Sequence, residues 1–469
     1  MMRSLFSGVA GLKTHQTKMD VIGNNIANVN TVGYKSSSVT FSELMYQTTQ
    51  NASGANNETG RAGINAKQIG LGVTTGAINT NISTSGASQT TGNPFDIQIT
   101  GDSFFIVNDG TSNYFTRAGA FYVDGAGNLA MTANGFKVMG WQEDPNMPGT
   151  IKQDTVSPLR IMSADNMTSE PEQTTEAYIS GIIDKNSPSL ASESGQIVNV
   201  SFYDNLGYSY VAKFAVKNYE MVGGVATDLD PGQYRLELTD IIDSTTNKTI
   251  LKDGETIDQY ASIGGGTAVR VQYDTNTGEF LGYYDAGNTF IATNKNTDGK
   301  LVMNFTNIDS LQEPINISLR TSTMYDNNGT STIAGKAGDY NGNYAGRQVG
   351  TMSGVAVQTD GKIYATYDNG TTKLLGQIAV ASFPNPSGLE KIGDNLYQTT
   401  MNSGQFDGIG KDVTSDGAGS FSTGVLEMSN VDLSAEFTEM ITTQRGFQAN
   451  SRIITVSDSM LEELTNLKR

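Results

Sequence analysis

The chain has 469 residues, no cysteine and a single histidine, His15, so disulfides and thiolate metal sites are excluded and any histidine-based catalytic or zinc centre would have to be built around one side chain. A formal charge of −18 disfavours nucleic acid and anionic headgroups as partners. No apolar run reaches the ~20 residues that cross a bilayer, and Lys13, His15 and Lys18 interrupt any signal-peptide core behind Arg3, so neither membrane insertion nor a cleaved secretory signal is expected.

Residues 3–29 read as a helix. Its stripe holds Leu5, Val9, Leu12, Met19 and Ile26, and all of these but Val9 recur at every seventh position, the repeat of a coiled-coil seam. Gly8, Gly11 and Gly23 weaken it by up to ~1 kcal/mol each. The helix is therefore marginal alone and needs a partner. Asn24, Asn25, Asn28 and Asn30 admit two readings: a polar network between helices, or exposed amides where the helix breaks at Asn30 and Gly33. His15 reads as a solvent-facing helix residue. Residues 35–70, rich in Ser, Thr, Asn and Gly, read as a linker with a short packed element at Phe41, Leu44, Met45 and Tyr46.

Strand patterns begin near residue 71. Residues 96–100 alternate, and Phe104-Phe105-Ile106-Val107 has the composition of a buried strand. Asp124-Gly125 and Asn134-Gly135 are hairpin-turn dipeptides; residues 124–128 lack the spaced carboxylates and distal Glu of a calcium loop. Pro145, Pro148, Pro158 and Pro171 mark a boundary. Beyond it, residues 197–202 and 210–216 read as strands of a separate β-domain, with turns at Asp253-Gly254 and Asp298-Gly299. Asp360-Gly361 and Asn369-Gly370 divide a meander whose last run is residues 374–380. The C-terminal helix is capped near Asp432, with Glu436 and Glu439 in its first turns and Lys468 and Arg469 closing it. Its seam is Leu433, Met440, Phe447, Ile454 and Leu461, accompanied by Phe437 and Gln444.

These elements define an α+β, multidomain chain: a terminal α-helical coiled coil plus two mainly-β domains in a nested insertion topology. The expected segments are an N-terminal helix (1–34), a linker (35–70), the first part of a β-domain (71–170), an inserted outer β-domain (171–342), the second part of the first β-domain (343–420) and a C-terminal helix (421–469). Residues 1–70 carry six Lys/Arg against three Asp/Glu, and residues 421–469 carry four against seven, so the acidic excess lies in the middle and the ends are complementary. No catalytic, cofactor-binding or metal-binding constellation is expected; paired carboxylates without a nucleophile or metal cluster are common in acidic β-proteins.

The run Gly8-Val9-Ala10-Gly11-Leu12, continued by Asn24-Asn25-Ile26-Ala27-Asn28-Val29-Asn30-Thr31-Val32-Gly33-Tyr34-Lys35, resembles the N-terminal signature of the flagellar axial proteins, the rod, hook and hook-associated family. Ser429-Asn430-Val431-Asp432-Leu433-Ser434 and Gln444-Arg445-Gly446-Phe447-Gln448-Ala449-Asn450 resemble its C-terminal half. Asn93-Pro94-Phe95-Asp96, Gly101-Asp102-Ser103-Phe104-Phe105 and Phe115-Thr116-Arg117-Ala118-Gly119 are similar to the first shell domain of its hook and distal-rod members. The block 175–340, read as a domain from its strand pattern alone, is an addition of the kind that the resemblance implies for hook members and not for the shorter rod members. The resemblance implies a non-enzymatic subunit without cofactors that assembles as a helical polymer of itself. It implies a curved tube joining motor to filament, with the flagellar rod, the hook cap, the hook–filament junction protein and the type III export apparatus as partners. It also implies export to the extracellular hook without a cleaved signal peptide. A distal rod or junction protein of the same family is the alternative. Leu5, Val9, Leu12, Met19, Asn24, Asn25, Ile26 and Asn28 on one helix, and Leu433, Phe437, Met440, Gln444, Phe447, Ile454 and Leu461 on the other, are the expected assembly contacts.

Overall fold

The computed structural model describes residues 2–54, 60, 62–222, 225–252, 254–292, 299–308, 310–415 and 419–467. Asp253, Asp298, Lys468 and Arg469, to which the sequence reading assigned turns and the closing charges of the last helix, lie outside them. The chain forms two compact units: Met1–Met167 with Gly354–Thr366 and Thr372–Arg469, and Thr168–Ser353 with Tyr367–Thr371.

The first unit begins with α1 (Met2–Ala27) and ends with α2 (Leu433–Asn466). Asp432 caps α2: its carboxylate accepts from the amides of Ser434 (2.9 Å) and Ala435 (3.3 Å), two donors a helix start otherwise leaves unpaired. After α1 the chain enters β1 (Ser37–Glu43), β2 (Tyr46–Gln50), β3 (Lys67–Gly70) and β4 (Val73–Thr80). β1 pairs antiparallel with β4 from Ser37↔Thr80 to Glu43↔Val73, and β2 pairs with β3. The region read as a linker is thus largely a two-stranded ribbon. It escapes pattern analysis because its strands are exposed or half-buried throughout, leaving no apolar alternation to detect.

β5 (Ser88–Thr90) and β6 (Ile97–Thr100) pair with the two strands that lead into α2, Val425–Glu427 and Ser420–Thr423. Gln98 is buried between Ile97 and Ile99, so β6 is covered on both faces despite its alternating sequence. β7 (Phe104–Asn108) is buried at every residue up to Val107. It pairs with β8 (Asn113–Thr116), with the later strand Lys137–Gln142 and with Val380–Ala381. Lys137–Gln142 pairs in turn with Thr372–Ile378, so residues far apart in sequence share one sheet. The turns at 124–128 and 134–135 form as hairpins between neighbouring short strands. Phe104, Ile106, Phe115, Trp141, Phe383 and Tyr397 fill the core of this domain. The Trp141 indole N–H donates to the carbonyls of Asp154 (2.8 Å) and Ile409 (3.1 Å), which satisfies its polar edge.

The second unit holds a six-stranded and a seven-stranded sheet among the described residues. In the larger, strands Gln196–Tyr203, Ser209–Lys217 and Gln233–Asp243 lie side by side, with Val198 opposite Phe214 and Phe214 opposite Leu238. Val198, Val200 and Phe202 are buried while Ile197, Asn199 and Ser201 face outward, the period of a half-covered sheet. This unit starts at Thr168, before the expected residue 171, and runs past 342 to Ser353. Its entry and exit strands explain the extension: Thr168 and Ser169 pair with Thr351 and Gly350, and Glu172 bridges Arg347.

Candidate assembly interface

α1 and α2 run antiparallel along one another. The order is fixed by successive contacts: Gly8 against Ile454 and Asn450, Gly11 against Asn450, His15 against Gly446, Lys18 to Glu439 (3.1 Å) and Asn25 to Glu436 (2.9 Å). Small and polar residues occupy the line of closest approach. Gly8, Gly11, Thr14, Ile22 and Asn25 are buried on α1, and Thr443 and Ser457 on α2. A Cβ at Gly11 would stand 2.6 Å from the Asn450 amide, and one at Gly446 would stand 2.7 Å from the His15 ring. The helix glycines therefore do more than weaken α1, as their propensity alone implies: Gly8 and Gly11 let the two backbones approach.

His15 corrects a second expectation. It is half-buried, fitted beside Gly446 and edge-on to Phe41 with ring centroids 5.4 Å apart. Its Nδ1 is buried without a hydrogen-bond partner among the described residues. Burial, reinforced by the nearby Lys18 ammonium, holds its pKa below the ordinary imidazole value.

The seam residues named from sequence divide into two groups. Leu5, Leu12, Met19 and Ile26 on α1 and Met440, Ile454 and Leu461 on α2 are half-buried within the single chain. Val9 on α1 and Leu433, Phe437, Gln444 and Phe447 on α2 are exposed. Further apolar side chains the sequence reading did not single out are also exposed: Met2 and Phe6 on α1, and Ile441, Ile453, Val456, Met460 and Leu464 on α2. Phe6 at 66% and Val456 at 56% exposure show how much apolar surface the pair leaves uncovered.

The asparagines also separate. Asn25 is buried and joins three elements. Its amide N–H groups donate to Ser37 O (2.8 Å) and Glu436 Oε1 (2.9 Å), and its oxygen accepts from the Ser37 amide (3.0 Å) and the Tyr34 hydroxyl (3.2 Å). Burial raises the Glu436 pKa above the usual carboxylate value, the Asn25 bond opposing that shift. Asn24 and Asn28 bond locally, with Asn28 Nδ2 donating to Asn24 O and Oδ1 (2.9 Å each) and Asn28 Oδ1 accepting from the Thr31 hydroxyl (3.1 Å). Just before α2, Asn430 accepts from the Ser36 amide (2.7 Å) and donates to Asn81 O (2.9 Å).

Three family models match the chain. "Flagella basal body rod protein" covers residues 5–35, "Flagellar hook protein FlgE/F/G D1 domain" covers 98–168 and "Flagellar basal body rod FlgEFG protein C-terminal" covers 422–467. The chain is 35% identical over 497 residues to the flagellar hook protein FlgE of Borreliella burgdorferi and 34% identical over 491 residues to that of Treponema pallidum, covering 100% of both chains in each case. It is 29% identical over 469 residues to the flagellar basal-body rod protein FlgG of Bacillus subtilis, again across 100% of both. The matches fall on both terminal helices and on the β-domain between them, and all three describe flagellar rod or hook proteins. The chain belongs to the flagellar hook protein family, and it is a structural, non-enzymatic hook subunit that assembles as a polymer with other axial components of the flagellum.

Proposed function

We propose that the two terminal helices build the inner wall of a curved, bendable tube made of many copies of this chain, and that the tube acts as a universal joint carrying motor torque to the filament. The observation that carries this reading is the apolar surface left open on the helix pair, with Met2, Phe6, Val9, Phe437, Phe447 and Val456 exposed in the lone chain. Covering such surface releases ~25 cal/mol per Å², enough to drive assembly. The contact is heterologous and non-closing, because only that geometry extends into a helical tube. In this reading Leu5, Leu12, Met19, Ile26, Met440, Ile454 and Leu461 hold the pair together, while Val9, Leu433, Phe437, Gln444 and Phe447 meet neighbouring copies. Asn24, Asn25 and Asn28 fix the end of the first helix. The acidic β-domains lie outside and slide past one another as the tube bends, with residues 171–342 as the outer domain.

The further partners are the flagellar rod, the hook cap, the hook–filament junction protein and the type III export apparatus. The subunit leaves the cell through that apparatus with its N-terminus uncleaved and works in the extracellular hook. A helix interrupted by glycines, which is weakly stable until it packs, suits passage through a narrow channel. The test is assembly of the full chain carrying Val9→Glu and Phe447→Asp. Both side chains are exposed, so the monomer unfolds as the native one does, yet it forms no tube. A normal curved polymer from that variant, seen by electron microscopy, would overturn the reading. A straight, stiff native polymer would move the chain to the rod class.

A further inference from the structure

Three charged side chains are buried where the terminal segments join the first β-domain, and the helix seam makes no use of them. Lys35 lies between α1 and β1, Arg117 follows β8, and Glu427 ends the strand that feeds α2. The side chains of all three are 0% exposed. Lys35 Nζ donates to Glu427 Oε1 at 2.8 Å and to Thr84 O at 2.7 Å, and the Gly86 amide donates to the same Oε1 at 3.0 Å. The Arg117 guanidinium lies 3.9 Å from Glu427 Oε2, an ion pair without a hydrogen bond. It donates instead to Ile99 O (3.4 Å) and Gly101 O (2.5 Å) and rests 5.4 Å over the Phe104 ring. Among the described residues, Glu427 Oε2 and Arg117 Nε have no hydrogen-bond partner.

The backbone around the cluster is tied in the same place. The Gly33 amide donates to Glu427 O (2.7 Å), and Lys391 Nζ donates to Lys35 O (2.8 Å). Both connections between helix pair and β-domain, one entering and one returning, therefore pass through one charged knot.

Such a knot is a poor device for stability. Taking the charges out of water offsets most of their attraction, and apolar side chains of the same volume serve as well or better. What it does supply is direction. Apolar surfaces tolerate small rotations, whereas a buried ammonium held by a carboxylate and a carbonyl has one alignment. We propose that Lys35, Arg117 and Glu427 form a rigid joint that sets the angle at which the terminal helix pair leaves the first β-domain, so that rotation of the inner wall turns the shell with it. They are positioning residues; the contacts between copies lie elsewhere. The proposal rests on the inner-wall reading of the helices given above.

The deciding variant is the full chain with Lys35→Met, Arg117→Met and Glu427→Leu together, which removes all three buried charges and strands none. Its unfolding midpoint is expected to be unchanged or raised. In a helical reconstruction of its polymer, the β-domain is expected to stay sharp while the helix pair loses its single orientation. Failure to polymerise at an unchanged midpoint supports the joint as well, because the folded chain then lacks only the alignment. Glu427→Leu alone leaves Lys35 unpaired, and its midpoint falls. A triple variant with the helix pair in its native orientation overturns the joint, and so does a triple variant whose midpoint falls as far as that of the single one. A native polymer whose helices do not line the channel overturns the inner-wall reading and the joint's part in torque together. A native wall with an indifferent triple variant removes the joint alone.

Discussion

The helix pair and the second unit bury their side chains by opposite rules. In the second unit, large apolar residues such as Phe202, Phe214, Leu236 and Tyr273 point inward and are wholly or nearly covered. In the helix pair, the covered positions are mostly glycine, threonine, serine and asparagine, while phenylalanine, valine and methionine side chains stand in the open. The second unit is a finished domain whose core needs nothing further. The pair has spent its small residues on bringing two backbones together and kept its large ones for surfaces beyond the single chain. A subunit that must fold on its own yet polymerise needs both designs, and this chain keeps them in separate parts.

The sharpest way to break that contrast is to damage the finished domain. Phe214 lies mid-strand between Val198 and Leu238 and is fully buried. Phe214→Ala is expected to cost about 3–5 kcal/mol, from lost transfer energy plus the cavity left behind. Denaturant unfolding of the full-length monomer measures it. Polymers formed well below the lowered transition should remain normal, because the loss is confined to a part that does not hold copies together in this reading. A collapse of assembly at temperatures where the variant is folded would show that the two designs are not separable.

Within the pair the converse substitution adds bulk where small residues sit. Gly446→Val puts a branched side chain onto the His15 ring, which also packs edge-on with Phe41. Overpacking of this kind costs about 1–3 kcal/mol. The slightly better helix propensity of valine returns only a few tenths of that. The dissociation temperature of the polymer should fall, while the denaturant transition of the second unit stays in place. Asp432→Ala probes the same pair more gently. It removes the cap that accepts two amides at the start of α2, at about 1 kcal/mol, and far-ultraviolet circular dichroism of the polymer near its dissociation temperature registers the loss.

Much of this architecture is visible in the residues themselves. The seven-residue repeat locates both helices, Asp124-Gly125 and Asn134-Gly135 sit at real hairpins, and Phe104 to Val107 is as buried as its composition implies. What pattern analysis misreads are features whose cause is remote in sequence. Lys35 and Glu427 meet across 392 positions, and buried charge has no local signature, so a cluster that joins three segments looks like three ordinary surface residues. Gly8 and Gly11 read as helix weaknesses until the partner helix is present. The ribbon of residues 37–80 hides for the opposite reason: its strands bury too little to leave a pattern. The family motifs do contain Lys35 and Arg117, and two opposite-sign-seeking cations inside short, glycine-rich signatures were the one available hint that the joint existed.

The mildest test concerns pH, and it turns on the only histidine. His15 meets Gly446 of α2 and Phe41 of β1, with Lys18 one turn along α1 and Glu439 of α2 bonded to that lysine. Burial first, and the Lys18 charge second, keep its folded-state pKa below the ordinary 6.5. A proton taken up here finds no acceptor at Nδ1 and a like charge nearby. Because the folded state binds that proton less readily than the unfolded one, the stability this site supports is fully present above the ordinary value and drains away as pH falls through it toward the lowered one. The polymer should therefore dissociate at lower temperature at about pH 5 than at about pH 7.5, and His15→Gln should flatten part of that slope. The second unit contains no histidine, so its own unfolding should show no matching step in this range. An unchanged slope in His15→Gln would mean that the seam tolerates a charged ring, and that the tight fit beside Gly446 relaxes more easily than the rest of the helix pair.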